Sequence, residues 1–337
     1  MDNQGALTFS YAKACGILGK SFVNSRANLL FEQNSLSDLW TLIFKTPVPL
    51  MPERLLAEEI EKQALNQLIK QFSFFISQFD KPDSILIEQF KIFEIENLKE
   101  IGDSLCSGET VCPPLVDLGK YSSLHTEFWP NLAKITKGTE FEWYNTVPRV
   151  HEQQQRDFAL DLYLVKSYWK EINKFRGEEK EAHLKLFLDE YVIKNVIWAL
   201  RLLVYYEMDS EEIVKNLFYV ENLNEQDPVA GPAIRALRKN PTVYSDWTNW
   251  EFADLLNPND AGEWKIDPVW IENKALQKRQ KLADFVFRQY PMSSAALVAW
   301  FKLKRYELVC IKIAVESARL NINSQETLNS MGISVVE

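Results

Sequence analysis

The sequence predicts an all-α protein made of three similar helical domains, and three observations carry that expectation. Glycine is scarce and proline modest, 11 and 14 in 337 residues, which argues against a β-rich or disordered chain. Apolar residues recur at helical spacing through long stretches that contain no breaker. An internal repeat then places the same residue types on one helix face near residues 97, 195 and 310.

The repeat is read from "QFKIFEIENLKEI" (89–101), "FLDEYVIKNVIWA" (187–199) and "KLKRYELVCIKIA" (302–314). Stacking Asn97, Asn195 and Cys310 brings Phe93, Tyr191 and Tyr306 into register four residues earlier. Ile101, Ala199 and Ala314 fall four residues later. These offsets share one face of an α-helix, so each segment presents an aromatic, a small or polar residue and an aliphatic along one stripe. The aromatic stripe is expected to be core.

A second match lies upstream. "ALN" (64–66), "ALD" (159–161) and "ALQ" (275–277) end 31, 34 and 33 residues before the stacked positions. Each copy therefore reads as a long helix, a short connection and a second long helix. The connections "FDKPDS" (79–84), "FRGEEKE" (175–181) and "RQYPMSS" (288–294) hold Pro or Gly among polar residues, as helix stops require. A weaker third match, "SLSDLWTLI" (35–43), "LHTEFWPNL" (124–132) and "TNWEFADLL" (248–256), precedes the pairs. Ser35 with Asp38 has the form of a capped helix start. The expected division is 1–105, 106–220 and 221–337, and three such units can pack about a pseudo-threefold axis.

Composition narrows the function. A net charge of −9 and a pI near 5.2 are the opposite of a nucleic-acid footprint. Cys15, Cys106, Cys112 and Cys310 form no CxxC and are expected to be reduced thiols. The N-terminus lacks the basic lead and apolar core of a signal peptide. The most apolar run, "VIWALRLLVYY", carries Arg201 and is too short to span a bilayer. No P-loop, G-x-G-x-x-G or G-x-S-x-G is written, so neither nucleotide binding nor a catalytic role is expected, and no cofactor. "HEQQQ" (151–155) has Gln155 where a zinc helix needs its second His, so no metal is expected. His125, His151 and His183 are far apart and are expected to be exposed or helix-capping. The acidic clusters at 58–62, 177–183 and 209–215 read as solvated helix faces, with Asp209 or Ser210 as an N-cap.

Taken together, these features resemble the C subunit of prokaryotic V/A-type rotary ATPases, whose eukaryotic counterpart is the V-type ATPase d subunit. The resemblance rests on the three repeats, the N-terminal "SYAKACGILGKSF" (10–22) and the final "AWFKLKRYELVCIKIAVESAR" (299–319). Lys304, Glu307 and Cys310 hold the family's Lys–x–x–Glu–x–x–Asn pattern, with Cys in place of Asn. The middle repeat has Asp161 with Tyr163 and Asn195 with Arg201. The first keeps Asn97 but has Asp103 where the Arg would be.

The resemblance implies a funnel of three helical domains with pseudo-threefold symmetry. It implies a non-catalytic central-stalk connector that transmits torque from the rotor-shaft subunits to the membrane proteolipid ring for ion transport. That role implies a peripheral protein on the cytoplasmic face, touching the membrane only through the ring. Candidate partner-binding residues are Glu94, Arg201, Lys304 and Glu307. Each also has a structural reading, as an ion pair or a contact with a neighbouring helix. The competing assignment is a helical scaffold or adaptor from an unrelated assembly; an all-α enzyme acting on isoprenoid diphosphates would need a DDxxD motif, which is absent.

Overall fold

A computed structural model describes residues 2–259 and 263–320. Among them no strand occurs, and eight helices reach nine residues or more. They are α1 (Asn3–Leu18), α2 (Leu36–Phe44), α3 (Glu53–Ile76), α4 (Lys91–Cys106), α5 (Gln153–Ile172), α6 (Gly177–Tyr205), α7 (Pro268–Gln289) and α8 (Ser294–Leu320). The all-α expectation holds. Helices α3 to α8 are the long helices expected two by two along the chain. Of the weaker third match, only 35–43 forms a long helix, α2, and its Ser35 Oγ accepts the Asp38 N–H at 3.1 Å. The other two give short turns, Thr126–Phe128 with Leu132–Ile135, and Ala253–Leu255.

The chain divides into two compact units. One takes the residues up to Lys81 and from Arg176 onward; the other is Pro82–Phe175. In the second unit α4 packs on α5. Leu98, Ile101 and Leu160 meet Leu124, Ile135, Phe141 and Tyr144 from the irregular segment between the helices. Gly102 permits this approach, because a Cβ there would lie 2.4 Å from the Tyr144 hydroxyl.

The first unit repeats that plan twice. Helix α6 packs on α7, and Trp247 and Trp250 from the segment between them fill the gap. Helix α8 packs on α3 in the same manner. Its filling residues, Phe22, Leu30, Phe31, Leu39 and Trp40, come from the start of the chain. In each case the second long helix of one sequence copy packs against the first long helix of another.

Helix α8 is the stretch with the least room for solvent. Leu297, Trp300, Phe301, Leu303, Tyr306, Cys310, Ile311 and Val315 are all buried, and α1, α2, α3, α6 and α7 touch it. A helix apolar on most of its circumference belongs in a core. Helix α1 reaches it through Ala6, Ser10 and Ala14, a small-residue stripe at four-residue spacing that allows close approach. The aromatic stripe is core, as expected: Phe93, Tyr191 and Tyr306 are buried.

Charge also crosses the core of this unit. Glu190 on α6 takes Lys302 and, at 3.4 Å, Arg305, both on α8. Asp189 faces Arg279 of α7 at 3.8 Å. Burial alone would raise the Glu190 carboxyl, but the surrounding cations hold it well below the carboxylate range. His183 corrects the expectation of three exposed or capping histidines. It is fully buried on α6, with Nε2 3.0 Å from Ser294 Oγ. Burial, reinforced by the Lys302 charge, pushes its imidazole down to about 3.

Two outcomes are expected. Tyr191→Ala should cost about 3–5 kcal/mol in urea unfolding, the scale of deleting a buried ring; a loss near zero would place the ring on the surface. A depressed His183 adds stability that is complete above its ordinary value and lost as pH falls towards about 3. The His183 contribution should therefore fall by about 2 kcal/mol between pH ~6.5 and pH ~5, while the raised carboxyls of Glu88, Glu94 and Asp189 act in the opposite sense. His183→Gln should flatten that slope. An unchanged slope would assign the acid sensitivity elsewhere.

Candidate functional site

Two of the three stacked repeat residues, Asn97 and Asn195, are backbone clamps. A side-chain amide carries one acceptor and a donor group, so it can pair with a peptide unit at both ends. Asn97 accepts the Val116 N–H at 2.8 Å and donates to the Val116 carbonyl at 2.9 Å. Asn195 does the same to Phe218, at 2.9 and 2.8 Å, and donates also to the Val229 carbonyl at 3.1 Å. Each ties a long helix to the irregular segment that follows it. Cys310 cannot form such a pair. It is fully buried, and burial pushes its thiol up to about 12, with Glu307 adding to the rise, so it stays protonated.

Two candidate residues share one register, three positions before the stack. Glu94 is buried and accepts from the backbone N–H and, at 3.1 Å, the hydroxyl of Ser123. Burial raises its carboxyl despite those bonds. Glu307 is buried too. It accepts the Phe22 N–H at 2.6 Å and pairs with Lys304, whose ammonium also donates to Ser21 Oγ at 3.0 Å. The structure thus joins Lys304 and Glu307 in one group, with their charges turned inward.

The middle copy has Val192 at this register, and another residue orders its segment. Asp227 is buried and accepts the N–H groups of Val220, Glu221, Val229 and Ala230 at 2.8–3.0 Å. The "QDPVAG" context carried a signal for it, an Asp beside Pro in a loop. Arg201 sits apart from these groups. It pairs with Glu272 of α7 on a partly exposed surface.

Glu94 also lines a cleft of about 570 Å³ within the second unit. At its floor Lys91 is held by Glu88 at 2.9 Å, Glu140 at 2.7 Å and Ser167 Oγ at 2.8 Å. Tyr163 donates to Glu140 at 2.9 Å, and its ring lies under the ammonium. Burial raises the carboxyl of Glu88. At the rim, burial would raise Glu171 as well, but hydrogen bonds from Lys174 and Ser84 win and lower it. One ammonium is shared here by two carboxylates and a hydroxyl of α5, an arrangement that braces helices α4 and α5. Sequence reading missed Lys91 and Glu140, which are 49 residues apart, although Lys91 stands six residues before Asn97, at the register Lys304 holds before Cys310, and that was a readable signal. Among the described residues no group of three or more His, Cys, Asp or Glu side chains is placed to hold a metal ion. None of their helices is long and apolar enough to cross a membrane.

Comparison with known proteins supplies the functional frame. The family described as ATP synthase (C/AC39) subunit matches residues 24–330. An uncharacterised protein of Treponema pallidum (strain Nichols) is 27% identical over 302 residues, which cover 89% of this chain and 88% of its own.

Asn195→Ala should cost about 2–4 kcal/mol, because it removes the amide from the part-buried Phe218 N–H and carbonyl and from the buried Val229 carbonyl. Asn97→Ala should behave alike. Chemical denaturation checks both, and losses under about 0.5 kcal/mol would deny the clamp.

Proposed function

The chain belongs to the ATP synthase (C/AC39) subunit family, and from that premise we propose that it is the central-stalk connector of a V/A-type rotary ATPase. The family is a non-catalytic ATPase subunit. In this proposal the chain joins the rotor shaft to the proteolipid ring on the cytoplasmic face and passes torque between them for ion transport. The threefold organisation of the sequence and the funnel implied by the resemblance are parts of the same proposal.

The family match carries the reading, and the packing is compatible with it. A torque-bearing part must not deform under load, and close-packed cores deform little. Here α8 is enclosed by five helices and cross-linked through Glu190, Lys302 and Arg305. The clamps at Asn97 and Asn195 hold the irregular segments to long helices instead of leaving them to solvent.

The test is affinity purification of a tagged full-length chain from membranes in mild detergent, with mass spectrometry of what accompanies it. Recovery of a proteolipid together with shaft subunits is expected. An intact chain recovered without either would contradict the reading and favour a scaffold of another assembly.

A further inference from the structure

The cleft of the second unit, about 570 Å³, has the size of a small-molecule site. Three of its charged side chains, Glu88, Lys91 and Glu94, are only 9, 8 and 4% exposed. Charges so deep are costly unless they are matched. Here the match is incomplete. The floor sets three carboxylates, Glu88, Glu94 and Glu140, against one ammonium, that of Lys91. Oε1 of Glu88 accepts no hydrogen bond and keeps only its ion pair with Lys91. Burial raises the carboxyls of Glu88 and Glu94, and the Glu140 charge adds to both rises. Bracing α4 against α5 needs one such pair; the floor is short of positive charge.

The α5 wall has the opposite imbalance. Tyr163, Ser167 and Lys170 follow at helical spacing along it, and Lys166 lines the cleft beside them. The wall's own carboxylate, Glu171, is taken by Lys174 and by the Ser84 hydroxyl. Lys170 is exposed to solvent. Phe90 and Tyr121, stacked at 5.0 Å, and the exposed Ile87 add apolar lining. A bare metal ion suits this cleft poorly, because the lysines oppose it and no three acidic side chains among the described residues are placed to hold one. A molecule with an ammonium at one end, an anionic group at the other and carbon between them meets all three kinds of lining.

We propose that this cleft binds a small free amino acid, with its ammonium against Glu88, Glu94 and Glu140 and its carboxylate against Lys166 and Lys170. The site goes beyond the connector reading and does not depend on it. A ligand held this way bridges α4 and α5, so its occupancy stabilises the second unit.

The test is calorimetric titration and thermal melting of the purified full-length chain with glycine, leucine, γ-aminobutyrate and ε-aminocaproate. At least one should bind with Kd below about 1 mM and raise the melting temperature. Butylamine and butyrate, each offering half of the zwitterion, should bind at least about 10-fold more weakly. Lys170→Ala and Glu140→Gln should each weaken binding by about 10-fold or more, the scale of one charge-assisted hydrogen bond. Lys185→Ala, on α6 in the other unit, should leave binding unchanged, and unaltered melting of ligand-free Lys170→Ala should show that it folds. Binding of none of the four probes overturns the proposal. So does equal binding by Lys170→Ala, or butylamine binding as tightly as the zwitterions, which would make the cleft a cation site. Displacement of the bound probe by phosphatidylethanolamine vesicles would make the occupant a lipid headgroup and overturn it too. The membrane purification tests the connector reading separately, and none of these results alters it.

Discussion

Glu307 accepts the backbone N–H of Phe22 at 2.6 Å, joining residues 285 apart in the chain. Much of the larger unit depends on that junction. The chain start packs on α8 there, with Phe22, Leu30, Phe31 and Trp40 against Tyr306, Cys310 and Ile311. Lys304 compensates the buried carboxylate and reaches Ser21, so the junction carries no unmatched charge. Such a buried pair adds little net stability against an apolar alternative, but losing one partner leaves a charge stranded. It acts as a register mark that fixes where the chain start must sit.

The same logic appears in the two earlier copies with other residues. Asn97 and Glu94 hold the segment after α4, and Asn195 with Asp227 holds the segment after α6. In each copy a long helix supplies polar side chains that satisfy backbone groups of an otherwise irregular stretch. An irregular segment inside a fold needs such partners, because unpaired backbone groups are costly to bury. The Cys at position 310 departs from the pattern where the covering segment comes from the chain start.

Much of this was legible in the sequence. The long helices, their breaks and the buried stripe of Phe93, Tyr191 and Tyr306 follow from periodicity and helix-stop chemistry, which are local properties. The repeat itself pointed to Asn97 and Asn195, yet their partners lie 19 and 23 residues away in segments with no periodicity to read. Of the residues singled out for partner binding, Glu94, Lys304 and Glu307 turn inward to backbone and to each other. A charged residue amid apolar neighbours reads the same from sequence whether it is buried with a partner or exposed to one. His183 was misplaced for that reason: nothing local tells that Ser294 stands beside it. Glu140 was missed because only the fold brings it to Lys91, whereas Lys91 itself sits at the register of Lys304 and could have been read there.

A junction of this kind makes the chain start and α8 one cooperative core. Native-state hydrogen exchange tests it most directly, by comparing the amides of Phe22, Leu30 and Leu39 with those of Cys310 and Ile311. In one core the two groups open with the same free energy. If the amides of the chain start exchange through openings several kcal/mol easier than those of α8, the chain start is an appendage and the core is not cooperative.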